Sequence, residues 1–193
     1  CLREMPERLT ADEVLASLKQ SIIEAHTAIF EYGQEHREAY DLRTTLVASK
    51  VLEQADGTHR ALVAQVGDSR AYIRHASGAL EQITLDDNML GQIKDMPTKE
   101  KREIQRLLNE AGDPSGLDQK ANLLFRHNYY VHQTLGQSEL VNNQRVIQPL
   151  DVHTYNITLE KGDELILMSD GINDFLTNGE MEKVLNLTRW AES

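Results

Sequence analysis

The most constraining feature of this sequence is the segment KGDELILMSDGINDFLT, which covers residues 161–177. A polar turn leads into the unbroken apolar run 165–168, and such a run is typical of a strand that is buried on both faces. The predicted strand ends in Ser169, Asp170 and Gly171, and Asp174 follows four residues after Asp170. Carboxylates at the rim of a rigid core are suited to binding a divalent cation. The segment therefore predicts a buried strand with a candidate metal site at its end.

This segment resembles the S-D-G-x-x-D motif of the metal-dependent protein serine/threonine phosphatases, the PP2C or PPM family. Two further stretches resemble that family in the same order, AQVGDSRAYI at residues 64–73 and QITLDDN at residues 82–88. Three motifs in order, with compatible elements between them, are a more specific signal than any one of them. The resemblance implies a signal-transduction hydrolase that removes phosphate from phosphoserine and phosphothreonine in phosphoprotein substrates by means of a metal-activated water.

The resemblance also implies which residues would bind metal. Asp170 corresponds to the family's ligand of the catalytic metal pair, and Asp86 corresponds to an Asp that holds a further metal together with Asp170 and Asp174. The expected cation is Mg²⁺ or Mn²⁺, because both prefer carboxylate oxygens. Asp87 stands where the family often has His, and on spacing alone a paired Asp is more typical of a turn or a helix cap. No substrate-binding residue is assigned.

The geometry of these three carboxylates can also be anticipated. If the segment after the strand forms a helical turn, Asp170 and Asp174 lie on one side of it, as residues four apart do. Asp86 must then reach the same rim, because three carboxylates that share one cation have to meet at one point. We therefore expect the three carboxyl groups to lie within common reach of a cation of the size of Mg²⁺.

The sequence departs from the family pattern in several places. We find no D-G-x-G-G segment, which supplies further metal ligands in the family, ahead of the first predicted helix, and no late D-N pair. Arg43 stands where the family normally has Gly and is expected to alter the packing. We therefore expect a single PP2C-like domain over residues 1–193, a fragment that lacks the family's N-terminal and C-terminal metal-binding segments, with little activity in isolation. The alternatives to a phosphatase fragment are a noncatalytic regulatory or phosphoprotein-binding domain and a plain acidic interaction domain.

Composition limits the other classes of function. The chain has 193 residues, enough for one good-sized core, and a formal net charge of −11. This charge disfavours binding to nucleic acid or to an anionic membrane, since phosphate groups are held by clustered Lys and Arg. No apolar run is long enough to span a bilayer and no signal-peptide pattern is present, so we expect a cytoplasmic protein. Cys1 is the only cysteine, which excludes an internal disulfide, and the oligomeric state is left open.

The remaining patterns predict alternating hairpins and helices. Thr10 and Glu13 form a capping box before a helix that we expect to end at Gly33, with His26 as a structural residue on its apolar face. Glycine-containing turns separate predicted strands at residues 45–52, 61–66, 71–74 and 80–84, which together indicate an antiparallel meander. Another strand is expected at residues 164–169.

Capping residues and the spacing of apolar residues also predict two further helices and one irregular segment. Pro97 and Thr98 begin a helix whose basic residues are expected to be solvated; they are Lys99, Lys101, Arg102 and Arg106. Residues 115–128 have few periodic apolar positions and are a candidate mobile loop, and Thr177 with Glu180 caps a last helix. The elements predict an α+β fold, and the resemblance implies a truncated antiparallel β-sandwich flanked by helices.

Overall fold

The computed structural model describes residues 10–54, 56–111, 118–126 and 130–190. The elements in chain order are α1 (Ala11–Glu35), a short 3-10 turn (Arg37–Ala39), β1 (Leu46–Glu53), β2 (His59–Val66), β3 (Arg70–Arg74), β4 (Leu80–Gln82), α2 (Thr98–Ala111), α3 (Gln119–Arg126), β5 (Ser138–Val141), β6 (Gln144–Ile147), β7 (His153–Leu159), β8 (Glu164–Met168), α4 (Asp170–Asn173) and α5 (Asn178–Trp190). They divide into two compact units. Unit 1 comprises the described residues of Cys1–Gly67 and Gln133–Thr158, and unit 2 those of Asp68–His132 and Leu159–Ser193.

Helix α1 of unit 1 begins with the predicted capping box. The Thr10 hydroxyl accepts a hydrogen bond from the Glu13 backbone N–H at 3.3 Å, and the Glu13 carboxylate accepts one from the Thr10 backbone N–H at 2.8 Å. The helix continues two residues past Gly33, which was wrongly predicted to end it. Gly33 is required for a close approach instead, because a Cβ atom there would lie 2.8 Å from the Ala39 carbonyl oxygen.

The apolar face of α1 packs against the sheet of unit 1. The buried residues of this core include Val14, Leu18 and Ile22 of the helix and Leu62 and Ala64 of β2. The strand order is β1-β2-β7, and β1 and β2 form the predicted antiparallel hairpin, in which Gly57 has a φ of 80°. Along strand β7 half-buried and exposed residues alternate.

His26 has the structural role that its position on the apolar face predicts. It is buried, with a fractional exposure of 3%. Its Nδ1 accepts a hydrogen bond from the Gly136 backbone N–H at 2.9 Å, so Nε2 is the nitrogen that donates to the Gln148 carbonyl oxygen, also at 2.9 Å. Both ring nitrogens are thereby used within unit 1.

The sheet of unit 2 has the order β4-β3-β8, and β3 pairs antiparallel with both neighbours. All five residues of the central strand β3 are buried. Strand β8 is not buried on both faces as predicted, since Glu164 and Leu167 are exposed. The physical reason is its position: β8 is an edge strand of this three-stranded sheet.

The predicted meander through β1, β2, β3 and β4 is also wrong. Its two hairpins form, but β2 and β3 belong to different sheets although only residues 67–69 separate them. Gly67 has a φ of 93°, and a Cβ atom there would lie 2.4 Å from Thr45 Cγ2. The chain therefore leaves the first sheet at a sharp turn that a larger residue would not fit.

The helices of unit 2 depart from their predictions at two points. Helix α2 begins after Pro97 as expected, but Lys101 is buried rather than solvated and donates a hydrogen bond from Nζ to the Gly91 carbonyl oxygen at 2.8 Å. Helix α3 lies within the segment 115–128 that was predicted to be a mobile loop. Its Leu124 packs with Leu108 of α2 and with Leu90 of the segment before α2, a cluster that forms only when these three segments meet. The predicted stop of α2 at residues 112–114 lies outside the described residues.

The fold class is confirmed: the chain combines helices with antiparallel sheets. The predicted capping box before α5 is also present, with the Thr177 hydroxyl accepting from the Glu180 backbone N–H at 3.2 Å. In the described ranges, no helix has both the length and the apolar character needed to cross a membrane. The prediction of a single domain stays a prediction.

Candidate active site

The acidic turn is the segment 170–174 of unit 2, which begins with Asp170 and ends with Asp174. Ser169 leaves β8 in an extended conformation, with φ −83° and ψ 169°, and the chain then enters the single turn α4. The Asp174 backbone N–H donates to the Asp170 carbonyl oxygen at 2.9 Å, which is the helical spacing that was predicted. Both aspartates are exposed, so their carboxylates are open to a ligand from solution.

Asp86 lies on the loop after β4 and is almost fully buried. Arg70 on β3 donates to both of its oxygens, from Nε to Oδ1 at 2.9 Å and from Nη2 to Oδ2 at 2.6 Å. The Asp86 backbone N–H donates to Gln105 Oε1 at 3.2 Å. Burial by itself lowers the pKa of the Arg70 guanidinium, but the adjacent Asp86 carboxylate raises it above its ordinary value, so Arg70 stays charged.

The three predicted carboxyl groups do not converge on one point. Among the residues that the structure describes, no three His, Cys, Asp or Glu side chains are arranged to hold a metal ion together. The physical reason is that Asp86 directs its carboxylate to Arg70. The expectation of one common site for Asp86, Asp170 and Asp174 is therefore not met by this structure.

The same carboxyl groups nevertheless share one electrostatic neighbourhood. Burial, followed by the negative charges of Asp86 and Asp170, raises the pKa of Asp68 to about 6. Burial and the charge of Asp170 also raise the pKa of Asp174, with Arg70 acting in the opposite direction. A cluster of this kind is costly when all of its members are ionised, and a bound cation would remove that cost.

These observations decide how well the residues fit a divalent cation. Asp170 and Asp174 fit, because they are exposed oxygen donors in a crowded acidic neighbourhood. The oxygens of Asp86 are engaged by Arg70, although each carboxylate oxygen keeps a second lone pair. That Asp86, Asp170 and Asp174 are metal ligands, with Asp170 as the catalytic one, stays a prediction.

A sequence model of the family described as protein phosphatase 2C matches residues 2–192 of the chain. The chain belongs to the protein phosphatase 2C family.

Members of this PP2C family with curated names are similar to the chain over almost its whole length. The serine/threonine phosphatase stp of Listeria monocytogenes serovar 1/2a is 26% identical over 187 residues, which is 97% of this chain and 61% of the relative. The protein of the same name from Listeria welshimeri serovar 6b is 25% identical over the same proportions. The chain thus spans about three fifths of the length of these relatives.

Solved PP2C-like structures share the fold. The serine/threonine phosphatase Stp1 from Staphylococcus aureus has a TM-score of 0.58 and 22% identity, with 95% of this chain and 58% of that chain covered. PppA, a regulatory component of T6SS in Pseudomonas aeruginosa, has a TM-score of 0.56 and 20% identity, with 95% and 61% covered. At this identity the similarity shows the fold alone.

Sequence analysis did not identify two charged residues, Asp68 and Arg70, that interact electrostatically with the predicted metal ligands. Arg70 and Asp68 both lie in the GDSR part of the PP2C-like stretch at residues 64–73. The available signal was Arg70, since a cation at the start of an apolar strand must find a buried acidic partner. Arg43, by contrast, has a surface side chain, and its Nε donates to the exposed Asp41 carboxylate at 2.9 Å.

A cavity of about 290 Å³ opens beside the acidic turn within unit 2. Its lining is mixed, with carboxylates and amides next to aromatic rings. The lining residues include Asp174, Asn173, Glu180, Asn109, Phe125 and Phe175.

Proposed function

We propose that this chain belongs to a metal-dependent protein serine/threonine phosphatase, which hydrolyses phosphoserine and phosphothreonine in phosphoproteins by means of a metal-activated water. One observation carries the proposal: in a chain of the PP2C family, burial and the nearby charges of Asp86 and Asp170 raise the pKa of both Asp68 and Asp174. Turns that only connect strands gain nothing from repulsion between carboxylates, whereas a cation bound at the site would relieve that repulsion.

The roles of the residues follow from their positions. Asp170 and Asp174 would hold the cation from the exposed acidic turn, and Asp170 is the residue to which we assign the catalytic role. Asp86 would reach the same cation only through its remaining lone pairs, while its pairing with Arg70 fixes the loop after β4. When bound, a hard cation lowers the pKa of a bound water and neutralises charge on the transferring phosphoryl group. Asp68, once ionised, strengthens the negative field that attracts the cation.

The finer assignments are part of the same proposal. Mg²⁺ or Mn²⁺ suits a donor set made of carboxylate oxygens without thiolate or imidazole. The substrate is a phosphoprotein rather than a nucleic acid or a membrane lipid, since the net charge of −11 repels polyanions. We further propose one PP2C domain over residues 1–193 and a cytoplasmic location, in keeping with a single cysteine.

The proposal is tested by metal binding and by phosphate release. We expect Mn²⁺ to bind the protein, as measured by electron paramagnetic resonance, and Asp170→Asn to weaken this binding by about 100-fold, equivalent to about 2.7 kcal/mol. In a protein extended at both ends of this chain, we expect the same substitution to weaken the hydrolysis of a phosphothreonine peptide. The matched control is Asp151→Asn, because Asp151 is an exposed Asp of unit 1 whose carboxylate lies at a long distance, 3.9 Å, from Lys19 Nζ.

The outcomes separate the proposal from its alternative. Equal Mn²⁺ affinity of the wild type and Asp170→Asn would remove the metal site. Tight, Asp170-dependent Mn²⁺ binding with no phosphate release by the extended protein would favour a noncatalytic PP2C-like domain that binds phosphoproteins. The noncatalytic alternative is favoured by the pairing of Asp86 with Arg70, because this pairing engages the carboxylate of a predicted metal ligand.

A further inference from the structure

We infer that Tyr72 and Asn173 are positioning residues that hold the acidic turn in its helical form. The consequence for cation binding rests on the proposed function, in which Asp170 and Asp174 are ligands. The inference itself concerns how this chain orients those two carboxylates, and it follows from the contacts beneath the turn.

The acidic turn cannot maintain its own conformation. It has four helical residues, and the first turn of a helix fixes several dihedral angles for the gain of one hydrogen bond. Of residues 170–175, all of which the structure describes, every one is exposed except Asn173. Ile172 and Phe175 are 45% and 84% exposed, so their apolar side chains add little packing. The inward contact of the turn is therefore made by Asn173.

The partner of Asn173 is the hydroxyl group of Tyr72. Tyr72 is fully buried on β3, and its Oη lies 3.3 Å from Asn173 Oδ1 and 3.4 Å from Asn178 Oδ1, at the start of α5. The hydroxyl oxygen accepts a hydrogen bond from Arg70 Nη1 at 3.3 Å. Its own hydrogen is thus free to point away from Arg70, toward the two asparagines.

A third acceptor competes only weakly for that hydrogen. Gln82 Oε1 lies 3.5 Å from Tyr72 Oη and already accepts a hydrogen bond from Asn109 Nδ2 at 3.1 Å. The longer distance and the existing donor both favour the asparagines as partners of Tyr72.

Asn173 keeps this contact in either orientation of its amide. Its Nδ2 atom is buried and has no hydrogen-bond partner among the described residues. A half-turn of the amide would bring Nδ2 toward Tyr72 Oη, which has a lone pair left to accept it. The hydroxyl therefore links β3 to the acidic turn as donor or as acceptor, which a phenyl ring could not do.

The experiment measures the turn directly and without metal. We expect Tyr72→Phe to accelerate hydrogen exchange of the Asp174 amide, which donates to the Asp170 carbonyl oxygen, by about fivefold to tenfold. Amides of the β3 and β8 ladder should change less. The matched control is Tyr155→Phe, since Tyr155 Oη also contacts an amide oxygen, Gln65 Oε1, at 3.4 Å, but lies in unit 1.

A second variant separates anchoring from helix propensity. Ala is the better helix former, so propensity alone predicts that Asn173→Ala slows exchange at Asp174. Anchoring by Tyr72 predicts that Asn173→Ala accelerates it, as Tyr72→Phe does. Unchanged or slower exchange at Asp174 in both variants would overturn the inference, as would equal acceleration at every amide of unit 2.

The Mn²⁺ affinity of the variants tests whether the conformation of the acidic turn affects the proposed binding of a cation. If Asp170→Asn abolishes Mn²⁺ binding, we expect Tyr72→Phe to weaken it severalfold, and an unchanged affinity would overturn the inference. If Asp170→Asn leaves Mn²⁺ binding unchanged, the proposed function fails, while hydrogen exchange at Asp174 still decides whether Tyr72 holds the turn.

Discussion

At the scale of single residues, charge determines most of what is distinctive in this molecule. Arg70 is the cation that faces the buried Asp86, while burial and, after it, acidic neighbours raise the pKa of Asp68 and of Asp174. An ion pair and a cluster of like charges thus lie side by side in unit 2. Removal of one partner of the ion pair would leave a buried charge unpaired, and the like charges repel one another in a way that a cation would relieve.

The raised pKa of Asp68 makes the stability of the metal-free protein depend on pH. The folded protein binds this proton more tightly than the unfolded chain, because the pKa rises from 3.8 to about 6 on folding. The free energy of unfolding should therefore fall as pH rises from about 4 to about 6 and then level off. We expect Asp68→Asn to flatten this dependence and to raise stability at pH 7, as measured by urea unfolding in EDTA. A slope identical to that of the wild type would contradict the burial and crowding of Asp68, and Asp151→Asn serves as the control.

The pairing of Asp86 with Arg70 should dominate the stability of unit 2. Asp86→Asn leaves a buried guanidinium without its charged partner, and such a loss costs about 3–5 kcal/mol. We expect a decrease of this size in the free energy of unfolding from chemical denaturation. Glu103→Gln is the matched control, since the pair of Glu103 with Arg106 also lies in unit 2 but is exposed, so solvent screens it. A cost below that of the control would show that Arg70 finds another partner.

At the scale of elements, turns decide which strands can pair. Gly57 and Gly67 both have positive φ and both follow a predicted turn pattern, yet one joins two strands of a single sheet and the other ends that sheet. The difference lies in the surroundings. A Cβ atom at Gly57 would have nothing within 4 Å, whereas one at Gly67 would meet Thr45.

Substitution of these two glycines should separate conformational strain from steric overlap. Gly57→Ala introduces only a left-handed alanine, at a cost of about 1 kcal/mol. Gly67→Ala adds a Cβ atom 2.4 Å from Thr45 Cγ2, and we expect a further loss of about 1–3 kcal/mol in the free energy of unfolding, measured by thermal or urea denaturation. Adding Thr45→Ala to Gly67→Ala should recover part of that loss. Equal destabilisation by the two single substitutions would mean that the backbone at Gly67 relaxes without cost.

At the scale of the whole molecule, the sequence alone determined the fold class, the family and the order of most elements. Capping boxes at Thr10 and Thr177 and glycines at turns act locally, so their signals can be read from a few neighbouring residues. The helical spacing of Asp170 and Asp174 is equally local. Only the tertiary structure decided that Asp86 faces Arg70, that Lys101 is buried, that β8 is an edge strand and that β2 and β3 part into two sheets. Each of these depends on a partner distant in sequence or on which strand lies next to which, and no local pattern encodes that choice.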